Sequence, residues 1–189
     1  MSRGFKLRFE PIRKHIPIWI ASLNSKSVEF TARRTEGWLP SMIPLSGLAR
    51  PIKELRAIAK DAGRGPNDVA VKSPGHVTIT NNPERARANH AGTVAFYAAR
   101  MGTFYSEQLA RYGFGADVAK IKEAWDAGGS KAGITAASQK LLDELGYVGG
   151  IEGAIERLKA QDEAGVDVHQ VEIDATSPVE YERIVAKLL

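Results

Sequence analysis

Ile16-Pro17-Ile18-Trp19-Ile20-Ala21-Ser22-Leu23-Asn24-Ser25-Lys26-Ser27-Val28-Glu29-Phe30 is the stretch that decides the fold class. Six of the eight residues from Ile16 to Leu23 are apolar or aromatic and none is charged, the pattern of a strand covered on both faces. Leu23-Asn24-Ser25 breaks the run, and Asn24 or Ser25 can cap a short helix continuing to Arg34. A strand that runs straight into a helix start aims free backbone N–H groups, and the positive end of the helix dipole, at whatever lies above it. That geometry suits a phosphate. An ordinary βα unit without a ligand has the same signature.

Working outward, Thr35-Glu36-Gly37-Trp38-Leu39-Pro40-Ser41 reads as a short apolar strand entered through glycine. A helix over about 50–62 follows, with Ile52, Leu55, Ile58 and Ala59 at helical spacing. Asp68 to Thr80 reads as a third strand, bent at Pro74-Gly75, and Gly165 to Ile173 as a fourth. Ser177-Pro178 opens a last helix to Leu189. Strands alternating with helices at this spacing predict an α/β chain with a parallel sheet and helical crossovers.

Between the third and fourth strands lies a helical insertion, about 83–164, punctuated by Gly102, Gly113-Phe114-Gly115, Gly128-Gly129 and Gly149-Gly150. Asn82-Pro83-Glu84 supplies a cap, a proline at the first helical position and an acid. Further helices are expected over about 104–112 and 116–127, around Leu141, Leu142 and Leu145, and around Ile151, Ile155 and Leu158. The aromatics Phe96, Tyr97, Phe104, Tyr105 and Trp125 are read as core, with a cofactor box as the alternative.

Four pieces in order carry a resemblance: residues 16–23, Ser27-Val28-Glu29-Phe30-Thr31-Ala32-Arg33-Arg34 continuing to Pro40, residues 94–105, and residues 149–158 with 163–167. Together they resemble the luciferase-like flavin-dependent oxidoreductases over nearly the whole chain. The pattern is most similar to the branch that uses the deazaflavin coenzyme F420, which includes methylene-tetrahydromethanopterin reductases. The resemblance implies a TIM barrel of eight strand–helix units, a fold that takes about 250 residues. This chain has 189 and matches only the last four units, so it is read as the C-terminal half of such a barrel, truncated or naturally split, with the helical insertion before the last strand. Residues 1–15 form a basic arm, or connection, and 16–189 the half-barrel domain.

The resemblance also assigns a site. The turn after the first strand would give backbone amides to the coenzyme phosphate region, on Leu23, Asn24, Ser25 and Lys26. Relatives frequently carry glycine there, which lets backbone approach a phosphate closely, and Leu23-Asn24-Ser25 departs from that. Lys26 is either a positive charge for the phosphate or a solvated helix residue. Ser41 stands where sugar-phosphate-oxidising relatives hold a substrate phosphate with a hydroxyl, but Pro44 occupies the position of their lysine, which argues against a phosphosugar. His76, just past the Pro74-Gly75 bend, is a substrate-side candidate or a structural histidine. The expected cofactor is coenzyme F420, with FMN as the alternative, and the expected chemistry is hydride transfer or monooxygenation of a small-molecule substrate. No catalytic residue is assigned, because the resemblance places most proton-handling groups on the first four strands. The other function class is a non-catalytic half-barrel that self-associates or pairs with an N-terminal-half partner.

Composition fits a globular chain, with 43% hydrophobic and 25% charged residues. There is no cysteine, which excludes disulfides and thiolate chemistry, and the histidines show no metal-ligand spacing. No apolar run reaches the ~20 residues of a membrane span, and no secretory pattern is present, so a cytoplasmic location is expected. The net charge of +4 sits in residues 1–14, where Arg3, Lys6, Arg8, Arg13 and Lys14 face one acid, Glu10. Nucleic-acid domains spread basic and aromatic residues over a folded face, which this chain does not do. Open sheet edges and an uncovered inner face predict association with a second copy or with a partner, unless the helical insertion folds over them.

Overall fold

The computed structural model describes residues 8–10 and 12–189, so Arg3 and Lys6 of the basic arm lie outside the described residues. The first half of the chain builds a parallel three-stranded sheet, β1 (Trp19–Ile20), β2 (Gly37–Trp38) and β3 (Ala70–Val71), in that spatial order. The crossovers are α1 (Ser25–Arg34) and α2 (Ala49–Asp61). Trp19, Gly37 and Ala70 stand in one register row. The Trp19 ring lies over Gly37, where a β-carbon would collide with it. Trp38 and Val71 face the other way, into a core with Ala32, Leu48, Ile52, Leu55 and Ala59. The helical spacing read in α2 therefore marks the buried face.

The sheet does not stop at β3. Lys72 makes a parallel bridge to Val168, which sets the start of the last strand beside the third. The two paths then run on together into a second parallel sheet, in the order β5 (Tyr147–Gly149), β4 (Val77–Thr80), β6 (Val171–Asp174). Val77 and Ile79 of β4 pack against α7 (Ile151–Ala164) and α8 (Pro178–Leu188), with Ala154, Leu158 and Ile184 among their neighbours. The insertion adds α3 (Pro83–Ala99), α4 (Phe104–Leu109), a π-turn at Ala110–Phe114, α5 (Gly115–Ala136) and α6 (Gln139–Leu145). Its core holds Val94, Ala98, Leu109, Ile121, Leu141 and Leu145. None of the described helices is long and apolar enough to cross a membrane.

Four sequence readings need correction. The first strand is two residues rather than eight, and Ile16 and Ile18 are exposed at 74% and 53%. Its only described neighbour is β2, so one edge stays open. The third strand is two strands, because Pro74-Gly75 interrupts pairing and Gly75 packs against the Leu145 carbonyl too closely for any side chain. The fourth strand divides likewise, into the bridge at Val168 and β6. The insertion is not wholly helical, since Tyr147–Gly149 joins β4 as a strand. Among the aromatics, Tyr97, Tyr105 and Trp125 pack on the insertion core, whereas Phe96 and Phe104 are 43% and 37% exposed.

One cluster ties the two ends of this α/β unit together. The Asp167 carboxylate accepts from Arg56 Nη2 at 2.9 and 3.1 Å and from the Val71 N–H at 2.8 Å. The same Arg56 nitrogen donates to the Gly165 carbonyl at 2.8 Å. Gly165 has φ +97°, the left-handed turn that ends α7 and releases the chain toward β6. Replacing Asp167 by Ala strands a strand N–H and a guanidinium, and should lower unfolding free energy by about 2 kcal/mol. The check is a shift of the urea midpoint at unchanged denaturant slope.

Candidate functional site

The strand ends of the first sheet open onto the turn that the sequence singled out. Ser22 is buried, with its hydroxyl 2.9 Å from Thr31 Oγ1, and its carbonyl accepts from Trp38 Nε1 at 2.6 Å. These bonds fix the turn from below. Asn24 is the N-cap: its Oδ1 accepts from the Ser27 N–H at 2.9 Å. Ser25 is the first helical residue. The cap uses the Ser27 N–H, so the N–H groups of Ser25 and Lys26 are the first-turn donors left to an outside acceptor. Asn24, Ser25 and Lys26 are all exposed.

Leu23 lines a cavity of about 260 Å³ together with Arg50, Glu54, Gln108, Arg111 and Tyr112. Two guanidinium groups face one carboxylate there, and Arg50 Nε already donates to Glu54 Oε1 at 2.9 Å. That bond raises the Arg50 pKa, while burial pushes the Tyr112 phenol up. Arg111 has no carboxylate partner among the described residues; its Nε reaches the Glu107 carbonyl at 3.3 Å. The cavity is therefore suited to an anion, with Arg111 as the open charge.

Gln108, 6% exposed, closes the floor. Its Nε2 donates to the carbonyls of Ser41 and Met42 at 2.9 and 2.7 Å. Met42 has φ +52°, the left-handed region that residues other than glycine seldom adopt. Backbone strain of this kind persists where surrounding contacts enforce it. Here an insertion side chain shapes the loop after β2. Ser41 thus contributes its backbone, and its hydroxyl lines neither this cavity nor the next.

His76 belongs to a second cavity, about 250 Å³, lined also by Thr78, Asn89, His90, Tyr147 and Glu172. His76 Nδ1 is 3.0 Å from Glu172 Oε1. Gln170 Nε2 is 2.9 Å from the same nitrogen; the carboxylate requires a hydrogen on Nδ1 and the amide N–H requires its lone pair, so Nε2 is the acceptor in the Glu172-bonded tautomer only. His90 Nε2 donates to the Leu142 carbonyl at 2.9 Å, leaving its Nδ1 as an acceptor. Burial holds the His90 pKa below the ordinary 6.5. The pair offers one carboxylate-oriented imidazole and one neutral imidazole over a rigid sheet. Among the described residues, no group of three or more His, Asp or Glu is placed to hold a metal ion.

The structure therefore separates the candidates. Leu23 opens one cavity with the Asn24–Lys26 turn beside it, and His76 lines the other. The sequence reading missed Arg50, Gln108, Arg111, His90 and Glu172 as site residues. Gln108 and Arg111 lie on a segment read as packing helix, and Glu172 in a strand read for its apolar partners, so only their outward register signalled them.

Residues 2–168 match the family profile of the luciferase-like monooxygenases. The fold is similar to the coenzyme F420 dependent tetrahydromethanopterin reductase of Methanopyrus kandleri (18% identity, TM-score 0.69, 89% of this chain and 48% of that one). It is also similar to an F420-dependent secondary alcohol dehydrogenase in complex with an F420-acetone adduct (12% identity, TM-score 0.57, 93% and 50%). A third likeness is to a riboflavin lyase crystallised with modified FMN and riboflavin (17% identity, TM-score 0.53, 90% and 41%). The chain spans about half the length of these structures or less.

The buried His90 has a consequence for stability. Its folded pKa is depressed, so the unfolded chain binds the proton first, and stability should fall as pH drops below about 6.5 toward the folded value. Thermal unfolding between pH 7.5 and 5 should show this component, and His90→Gln should remove it.

Proposed function

This chain belongs to the luciferase-like monooxygenase family, and we propose that it is the coenzyme-phosphate-binding half-barrel of an oxidoreductase acting on a small molecule. The observation that carries the reading is the anion-suited cavity at the strand ends, which Leu23, adjoining the Asn24–Lys26 turn in sequence, lines together with Arg50 and Arg111. The Ser25 and Lys26 N–H groups and the Lys26 and Arg111 charges would hold the phosphate-bearing tail, and the α1 dipole adds to their field. The donor set fits such a tail: it is cationic, open to solvent and held by a buried floor. When bound, the coenzyme supplies the redox chemistry and the chain supplies position and electrostatics.

The preferred coenzyme is F420, supported by the two F420-dependent structures at TM-scores of 0.69 and 0.57. FMN is the second reading, supported by the FMN-bearing riboflavin lyase. Gln108 holds the Ser41–Met42 loop at the edge of the site. His76, oriented by Glu172, hydrogen-bonds a substrate group through Nε2 or takes a proton at that atom. A non-catalytic half-barrel is the contrasting reading, favoured by the chain spanning no more than half of these structures.

Titration of the purified chain with F420 and, in parallel, with FMN tests the proposal by fluorescence. Saturable micromolar binding of F420 alone is expected. Asn24→Ala/Lys26→Ala and Arg111→Ala should each raise Kd about tenfold or more, since each removes charge-assisted bonds. Unchanged affinity in both variants would reject the site. Binding of neither coenzyme would leave the non-catalytic reading.

A further inference from the structure

Charge along this chain is segregated by sequence position, and the fold turns that segregation into two opposite edges. The described residues up to Arg34 contain six Lys or Arg against two acids, Glu10 and Glu29. Residues 161–182 contain seven acids and no Lys or Arg. The first segment leads into β1 and α1, and the second carries the end of α7, the Val168 bridge, β6 and the start of α8. β1, β5 and β6 each have an unpaired side among the described residues, and of these β1 adjoins the basic segment and β6 lies in the acidic one. The basic edge therefore lies at one end of the parallel array and the acidic edge at the other.

Both edges are apolar beneath their charges. On the basic side Ile16, Ile18 and Phe30 are 74%, 53% and 55% exposed. On the acidic side Val168 and Tyr181 are 42% and 50% exposed. Edge strands with apolar side chains are pairing surfaces unless something covers them. Like edges repel here, because basic meets basic and acidic meets acidic. Only unlike edges combine backbone pairing, apolar contact and charge attraction.

From this pattern we infer that the partner of both edges is a second copy of the same chain. The basic β1 edge of each copy meets the acidic edge formed by Val168 and β6 of the other. A two-fold axis satisfies both contacts at once, so the assembly closes instead of growing into a filament. The strand count agrees: β1, β2, β3 and the Val168 segment make four parallel strands per copy, and two copies give the eight of a closed barrel. The inference stands whether or not the chain binds a redox coenzyme.

Light scattering coupled to gel filtration tests it at micromolar concentration. The wild type should run at twice the 20.5 kDa of one chain. Its dimer Kd should rise about tenfold between low salt and 0.5 M NaCl, because the pairing charges are exposed. Two variants reverse one edge each: Arg13→Glu/Lys14→Glu on the basic side and Glu163→Lys/Glu182→Lys on the acidic side. Each variant alone should be monomeric. Mixed in equal amounts they should form a heterodimer, because one interface is then wild type and the other has its charges exchanged. Recovery on mixing also shows that both variants fold. A wild-type monomer, variants that dimerise as well as the wild type, or monomeric variants that stay apart when mixed would each overturn the inference. A wild-type monomer would redirect the search to a different chain that covers these edges.

Discussion

The carboxylate of Asp167 holds this structure's long-range order. It joins Arg56 on the second helix, the Val71 N–H on the third strand and, through Arg56, the Gly165 turn. Those bonds span 96 to 111 residues of sequence. Asp167 and Arg56 are each 35% exposed at the side chain, so solvent weakens their Coulomb attraction. Their value is geometric: one guanidinium nitrogen shared by both carboxylate oxygens, and a strand N–H, specify one position for the returning chain. With Asp167 in place, Val166 is buried in the first core, Val168 bridges Lys72, and the last strand can extend into the second sheet. A helical insertion of some eighty residues can then leave the sheet and return without disturbing it.

That insertion does more than fill space. It supplies Gln108, which pins the Ser41–Met42 loop, and Arg111, which gives the strand-end cavity its open positive charge. It also supplies His90 and Tyr147 to the His76 cavity. Both candidate sites are therefore composite: in one the turn after β1 and α2 face the insertion, and in the other β4, β5 and β6 face α3. Parallel strands suit this role because their C-terminal ends share one side of the sheet, where loops and helix starts converge. The left-handed Met42 is the one residue other than glycine with positive φ among those described, and it sits at that side.

The same architecture exposes the sheet's flanks. Two strands of two residues each at the head of a sheet cannot hide a run such as Ile16–Ile18, and the described residues place nothing over it. Burying those edges against a second copy would combine what the sequence keeps apart, basic residues near one end and acidic residues near the other. Charge of this kind chooses partners and orientation more than it adds affinity, and the apolar strips beneath it supply the burial.

Much was decided locally. The apolar run before Asn24, the Asn24 cap, the spacing of Ile52, Leu55 and Ala59, and Ser177-Pro178 each specify an element from its own residues, because capping and periodicity act within a few residues. The α/β class followed from those elements in order, and the family from the resemblance carried by residues 16–40, 94–105 and 149–167. Strand lengths did not follow, since a residue pairs only if a neighbour stands beside it, and β1 has one neighbour while Pro74-Gly75 has none. Nor did Tyr147–Gly149, whose three residues become a strand only because β4 offers an edge. The site divides in the same way. The Leu23–Lys26 turn was legible because it is one contiguous junction. Arg111 beside Leu23, and Glu172 beside His76, are brought together across nearly ninety and nearly one hundred residues, and only the tertiary packing of insertion on sheet decides which distant side chains share a cavity.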